Sequence, residues 1–292
     1  MAKYILLVVL GVSATLLISA CSTSQVFREH RQFFNQHIAG NDDIRLASIQ
    51  SPEGNLHFAS AGDSHLPALV LIHGTPGSWT DLSALMIEPK LRSHFRVISI
   101  DRPGWGRSTV ADGYSPLEFS YQARQIGLLL QQLREQNPQQ PIIVAGHSLG
   151  ASIAPRIAAD FPQLVDGLLL LSGTHSPELG KPRRHHCVGE WRLVKPLIGE
   201  PLRKANQEML VLDRQLAQMS ERWQSITVPV TVIQGRKDGL VSHKNTDFIE
   251  QVQAQNPNLT VIRLKKSGHF THLQQQPLIV DSAIQMLISV QK

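Results

Sequence analysis

Ten residues, 141–150 (PIIVAGHSLG), constrain the fold of this chain more than any others. Ile142, Ile143 and Val144 form a short β-branched run opened by a proline, the pattern of a strand buried on both faces. Gly146-His147-Ser148-Leu149-Gly150 follows, with small residues flanking a serine at alternate positions. A backbone without Cβ atoms at 146 and 150 can turn sharply from strand into helix, and 151–161 reads as that helix. The turn leaves the Ser148 hydroxyl exposed above the sheet and makes Ser148 a candidate nucleophile.

Around this segment strand and helix patterns alternate. An antiparallel hairpin is expected at 45–50 and 55–60 about Pro52-Glu53-Gly54. Strands are expected at 68–72, 95–100, 168–171, 228–234 and 259–264. Ser78 with Asp81, and Ser115-Pro116 with Glu118, read as helix caps, the second opening a helix that runs to about 136. The rhythm predicts an α/β fold with a mostly parallel central sheet and helices on both faces. It breaks at 174–225, about fifty residues with helical patterns such as 206–220 and no good strand, expected to be a helical cap insertion over a site. With 292 residues and 42% hydrophobic content the chain can bury a full core. A net charge of +5 carried on scattered Lys and Arg, with 5% aromatics, argues against nucleic-acid binding.

The amino terminus reads as an address. Lys3 precedes an uncharged apolar run, 4–20, that ends in Ile18-Ser19-Ala20-Cys21. A basic start, an apolar middle and small residues before a break describe a secretory signal; a single membrane span is the alternative. The ending resembles the bacterial lipoprotein box, which implies lipidation of Cys21 with fatty acyl chains such as palmitate, and, with Ser22 next, transport to the outer membrane facing the periplasm. The expected organisation is a signal peptide at 1–20, a lipid-anchored tether at 21–44 and a domain at 45–292. With Cys21 so used, Cys187 has no internal disulfide partner and reads as a packed or idle thiol.

A serine hydroxyl needs a base within hydrogen-bond reach and a carboxylate to orient that base. After the last expected strand comes Gly268-His269-Phe270, with His272 as the alternative base; after the strand before it, Asp238 lies in the turn Gly235-Arg236-Lys237-Asp238-Gly239. Alone, Asp238 is equally a turn residue bonding its own backbone. An oxyanion pocket would take one donor from the Leu149 N–H and one from the loop after 72, where Thr75 has an N–H and Pro76 has none. His73 reads as support for that loop or as part of the substrate pocket.

HGTPG, DRPGWGRS, GHSLG, GRKDGLV and GHFTHLQQQP occur in that order, and over about 45–290 the chain resembles α/β-hydrolase fold serine hydrolases. The resemblance implies Ser148 as nucleophile, Asp238 as acid, His269 as base, Thr75 and Leu149 as oxyanion donors, a mostly structural turn at 101–108, and no metal or organic cofactor. HGTPG is also similar to epoxide hydrolases and dehalogenases, which need aspartate where Ser148 stands. The expected activity is hydrolysis of a carboxylic ester or thioester of a small or lipid-like acyl group. An amidase, a carbon–carbon bond hydrolase or an acyltransferase on the same triad, or a non-catalytic binding lipoprotein, are the alternatives. Within the cap, 181–186 (KPRRHH) reads as a solvated face or as an attractor of anionic headgroups or substrate. Trp191, Leu193, Val194, Leu197, Ile198, Met209, Leu210 and Trp223 could roof an acyl pocket or pack the cap onto the domain.

Overall fold

The computed structural model describes residues 32–191 and 199–291. The signal segment, Cys21, the first part of the tether and the cap residues Leu193, Val194, Leu197 and Ile198 lie outside the described residues. Of the described residues, 32–42 belong to a unit of their own, in which Phe34–Ile38 makes a short π-helical turn. Among the described residues no helix is long and apolar enough to cross a membrane.

From Asp43 onward the chain builds a nine-stranded mixed sheet. Its strands are β1 (Arg45–Ser51), β2 (Gly54–Ala61), β3 (Ala68–Ile72), β4 (Arg96–Ile100), β5 (Thr109–Val110), β6 (Ile142–His147), β7 (Gly167–Leu171), β8 (Val230–Gly235) and β9 (Leu259–Leu264). The spatial order is β1-β2-β4-β3-β6-β7-β8-β9, with β5 beside β2. β2 pairs antiparallel with β1, β4 and β5, and the strands from β4 to β9 are parallel. The chain winds one way from β3 to β4 and the other way from β6 on. Connections after β3 and β6 therefore diverge, and a crevice opens at the carboxyl ends of these two strands, where open α/β sheets bind ligands.

Alternation along the strands divides the core into two layers. Val70, Ile72, Ile142 and Val144 pack with helices α1 (Phe119–Gln136) and α2 (Leu149–Asp160), while Leu69, Leu71, Ile143 and Ala145 face Leu85, Leu91 and α5 (Gln276–Val290) on the other side. Each fully buried Leu, Ile or Val contributes about 1.5–3 kcal/mol, so both layers hold the strand ends rigidly. The expected α/β architecture holds.

One expected helix start does not. Asp81 Oδ2 accepts the Ser78 N–H at 3.2 Å, as a capping box requires. Glu118, however, does not reach back to Ser115; its carboxylate takes Arg214 Nη2 at 2.9 Å and Gln215 Nε2 at 3.0 Å. α1 begins at Phe119, whose N–H donates to Gln215 Oε1 at 2.9 Å. Its cap is thus a side chain from α3 (Glu200–Ser220), the long helix between β7 and β8. α3 starts six residues ahead of the expected 206, and Leu212, Leu216, Met219 and Trp223, at helical spacing, enter the α1–α2 core layer. A shorter helix, Arg184–Gly189, precedes it, and α4 (Asn245–Val252) links β8 to β9.

Candidate active site

The turn after β6 is possible only because of its glycines. A Cβ on Gly146 would lie 2.4 Å from the Gly150 backbone, and one on Gly150 would lie 2.2 Å from the Ile72 carbonyl oxygen. Between them Ser148 sits at φ 54°, ψ −120°, a conformation that costs a non-glycine residue on the order of 1–3 kcal/mol. Its N–H is anchored on the Leu171 carbonyl at 2.9 Å, so β7 holds the turn from below. The hydroxyl is left at the crevice between β3 and β6.

The structure brings His269 and Asp238 to this hydroxyl. His269 Nε2 is 3.0 Å from Ser148 Oγ, and His269 Nδ1 is 2.8 Å from Asp238 Oδ2. An ionised carboxylate only accepts, so Nδ1 carries the proton, Nε2 is the acceptor, and the hydroxyl donates to it. Asp238 Oδ1 accepts the N–H groups of Leu240 at 2.9 Å and Val241 at 2.8 Å, and Oδ2 also accepts Gln234 Nε2 at 2.9 Å. Burial would raise the Asp238 pKa, but the His269 hydrogen bond and charge, together with the two backbone donors, hold it below the usual carboxylate value. Such a chain can take the hydroxyl proton as the oxygen attacks a carbonyl carbon. Gln234, on β8, escaped the sequence analysis because a polar residue inside a strand pattern has no distinguishing mark.

His272 is placed elsewhere. It is buried, with its ring centroid 4.1 Å from that of His147. His147 donates from Nε2 to the His269 carbonyl at 3.0 Å and so braces the loop that carries the base. Burial, with repulsion from His269, lowers the His147 pKa to about 3, which keeps the ring neutral.

Ser148, Leu149, Thr75 and His269 line one pocket of about 320 Å³. Among the described residues no protein acceptor takes the N–H of Thr75 or of Leu149, so both remain available to an oxyanion. Gly74 lets the β3 loop approach, since a Cβ there would lie 2.9 Å from Ser148 Cβ. The Thr75-Pro76 peptide bond is cis. His73 is fully buried beneath this loop, donating from Nδ1 to the Gly74 carbonyl at 2.7 Å and accepting the Arg102 N–H on Nε2 at 3.0 Å. Burial, then the Arg102 charge, pushes its pKa well down.

A buried ion pair joins this loop to the cap. Arg102 donates to the carbonyls of His73 (3.1 Å) and Gly74 (2.9 Å) and to Gln122 Oε1 (3.1 Å), and its two Nη atoms reach Glu208 of α3 at 2.8 and 3.2 Å. Glu208 also accepts Trp105 Nε1 at 3.0 Å and the Thr75 hydroxyl at 2.5 Å. The 101–108 turn is structural in the main: Asp101 accepts His57 Nδ1 at 2.8 Å and the N–H groups of Trp79 and Arg107 at 2.8 and 2.9 Å. Arg102 of that turn bonds the pocket loop directly, at the His73 and Gly74 carbonyls, and the Trp105 ring packs edge-on to His73.

The cap supplies the outer wall of the pocket. Lys181, Arg183, His185 and His186 line it, as does Met209. Trp223 packs in the core instead, Trp191 is exposed, and Leu210 is half-buried outside the pocket lining. Cys187 is a free, exposed thiol rather than a packed one.

Residues 69–281 match the alpha/beta hydrolase family. Among curated proteins, an AB hydrolase superfamily protein of Bacillus subtilis is 26% identical over 46% of this chain and 45% of its own, so the chain spans less than half of that relative. A Haemophilus influenzae protein with an esterase/lipase name is 21% identical over 88% of this chain and 93% of its own. Among solved structures, Cfl2 of Burkholderia cenocepacia superposes with a TM-score of 0.68 at 18% identity, covering 84% of this chain and 96% of that one.

Proposed function

This chain belongs to the alpha/beta hydrolase family, and from that membership we propose that it is a serine hydrolase that cleaves a carboxylic ester or thioester through an acyl-enzyme. The observation that carries the proposal is the continuous hydrogen-bonded line from Ser148 Oγ through His269 to Asp238, with spacings of 3.0 and 2.8 Å. Ser148 Oγ attacks the carbonyl carbon while its proton passes to His269 Nε2, and the oxygen that becomes negative is received by the N–H groups of Thr75 and Leu149. The carbonyl re-forms as the bond to the alcohol or thiol breaks, and His269 returns the proton to the departing group. Water then attacks the acyl-enzyme with His269 again as base, releasing the acid and restoring the Ser148 hydroxyl. The esterase/lipase name of the Haemophilus relative agrees with this chemistry.

We further propose that the enzyme is tethered by lipidated Cys21 in a bacterial envelope, at the outer membrane facing the periplasm, because Ile18-Ser19-Ala20-Cys21 follows a basic, then apolar, segment. The site is tested with a fluorophosphonate probe and p-nitrophenyl esters of graded acyl length. Wild-type protein labels at Ser148 and turns over at least one ester, and Ser148→Ala does neither; labelling that survives in Ser148→Ala refutes the assignment. For the tether, Cys21→Ser leaves the precursor uncleaved and without acyl chains.

A further inference from the structure

The pocket beneath the cap has a one-sided charge. Lys181, Arg183, His185 and His186 line it together with Ser148 and His269, and among the described residues no Asp or Glu does. The two standing cations are not equally free. Lys181 Nζ is 2.6 Å from Glu178, both side chains largely exposed, a pairing of little energetic weight. Arg183 has no carboxylate partner among the described residues; its Nη2 donates to the Leu240 carbonyl at 3.1 Å, which leaves most of its five donors unused. His186 Nδ1 accepts the Arg183 N–H at 3.1 Å, so the neutral ring keeps its proton on Nε2 as a further donor. Burial, helped by His185 and Arg183, lowers its pKa to about 4, and it stays neutral near pH 7.

Arg183 also bridges two walls. It starts in the cap and ends on Leu240, whose own N–H donates to Asp238 Oδ1 at 2.9 Å. Leu179, Leu202 and Leu240 are exposed and line the same pocket. Cations set among leucines beside a reactive hydroxyl suit a molecule with an apolar middle and a negative end. Guanidinium donors match carboxylate and phosphate oxygens in pairs. A flat anionic surface fits less well, because four of the six residues in 181–186 belong to the wall of the pocket that holds Ser148.

We propose that this pocket selects acyl esters carrying an anionic oxygen group, a carboxylate or phosphate, at the end remote from the scissile carbonyl, and that Arg183, aided by Lys181, is the residue that selects them. The proposal rests on the ester-hydrolase assignment above and adds the class of substrate. It is tested with a pair of chromogenic esters that differ by one charge, 4-nitrophenyl hydrogen suberate and 4-nitrophenyl methyl suberate. Wild-type protein prefers the anion in kcat/KM by about 10- to 100-fold, the range of a hydrogen-bonded charge. The preference shrinks in 0.5 M NaCl and falls toward one in Arg183→Gln/Lys181→Gln. Calorimetric binding of both esters to Ser148→Ala gives the same ratio without turnover. Equal kcat/KM and equal binding overturn the selection and leave the hydrolase assignment standing. Preferential, Arg183-dependent binding of the anionic ester with neither ester cleaved supports the anion site and sinks the ester chemistry. If wild type sediments with phosphatidylglycerol vesicles more than with phosphatidylcholine vesicles, and the double variant loses that excess while the ester ratio is unchanged, the cations serve a membrane surface and the proposal fails.

Discussion

Removing the carboxylate of Glu208 tests how far the cap and the catalytic loop depend on one another. In the folded protein the Arg102 side chain is 0% exposed and that of Glu208 5%. Glu208→Ala leaves the guanidinium in place with the carbonyls of His73 and Gly74 and with Gln122, yet without a counter-charge in contact. Breaking a buried pair from one side costs about 3–5 kcal/mol. The three remaining acceptors put Glu208→Ala at the lower end, about 3 kcal/mol. Urea unfolding measures this as a shifted midpoint at constant slope. A second consequence is kinetic. The Thr75 hydroxyl loses its acceptor, so the loop that presents the Thr75 N–H is held less firmly, and kcat falls with little change in KM. The ceiling is roughly 100- to 1000-fold, the cost of one oxyanion donor lost outright. Arg102→Met/Glu208→Leu removes both charges but takes the donor from the His73 and Gly74 carbonyls and from Gln122, so it recovers only part of the stability lost by Glu208→Ala, and none of the turnover, since Thr75 still lacks its partner. A loss below about 1 kcal/mol in Glu208→Ala, within the range of exposed pairs, or a double variant as unstable as the two single losses added, refutes the reasoning.

Three further outcomes follow from the same geometry. Asp238→Asn places an amide among four donors, so its NH2 faces either backbone N–H groups or His269; the ring is driven to the tautomer that cannot accept from Ser148, and kcat falls by about 10⁴-fold with folding preserved, read by circular dichroism beside turnover. Gly150→Ala puts a Cβ 2.2 Å from the Ile72 carbonyl oxygen and is expected to cost about 2–3 kcal/mol in chemical denaturation while abolishing activity. His147 and His175 are buried with pKa values lowered to about 3, by burial first in each case. Unfolded histidine titrates near 6.5, so the unfolded state binds more protons between about pH 6.5 and 3 and stability drops as pH falls through that window, by on the order of 4–5 kcal/mol per ring at the acid end. Asp81, raised to about 6 by burial, opposes this between its ordinary value of 3.8 and 6, where it favours the folded state as pH falls. Urea midpoints of wild type and His175→Leu across this range separate the contributions, the variant showing the shallower slope.

The strands were legible because buried parallel strands announce themselves as unbroken apolar runs, and the turn at 146–150 because backbone collisions leave no choice but glycine at its ends. The meeting of Ser148, Asp238 and His269 could be anticipated from their placement after successive strands. What escaped depends on contacts between distant positions. The start of α1 was misplaced because its first N–H is satisfied by Gln215, 96 residues away. Glu208 looks like any polar residue of a helical segment, and its partner Arg102 is 106 positions earlier. The 181–186 run is plain as charge, but which of its members line the pocket depends on how the cap turns, and Arg184 does not while Arg183 does.

The way α3 closes off α1 bears on engineering. Gln215 accepts the first N–H of a helix that precedes it by almost a hundred residues, and Glu208 does comparable work for the loop after β3. A foreign segment spliced between β7 and β8 to retune specificity would therefore strip α1 of its lid and Arg102 of its neutralising anion unless it carried equivalents of both residues. Chimeras of this enzyme should begin from those two side chains, with the length and sequence of the transplanted piece chosen around them.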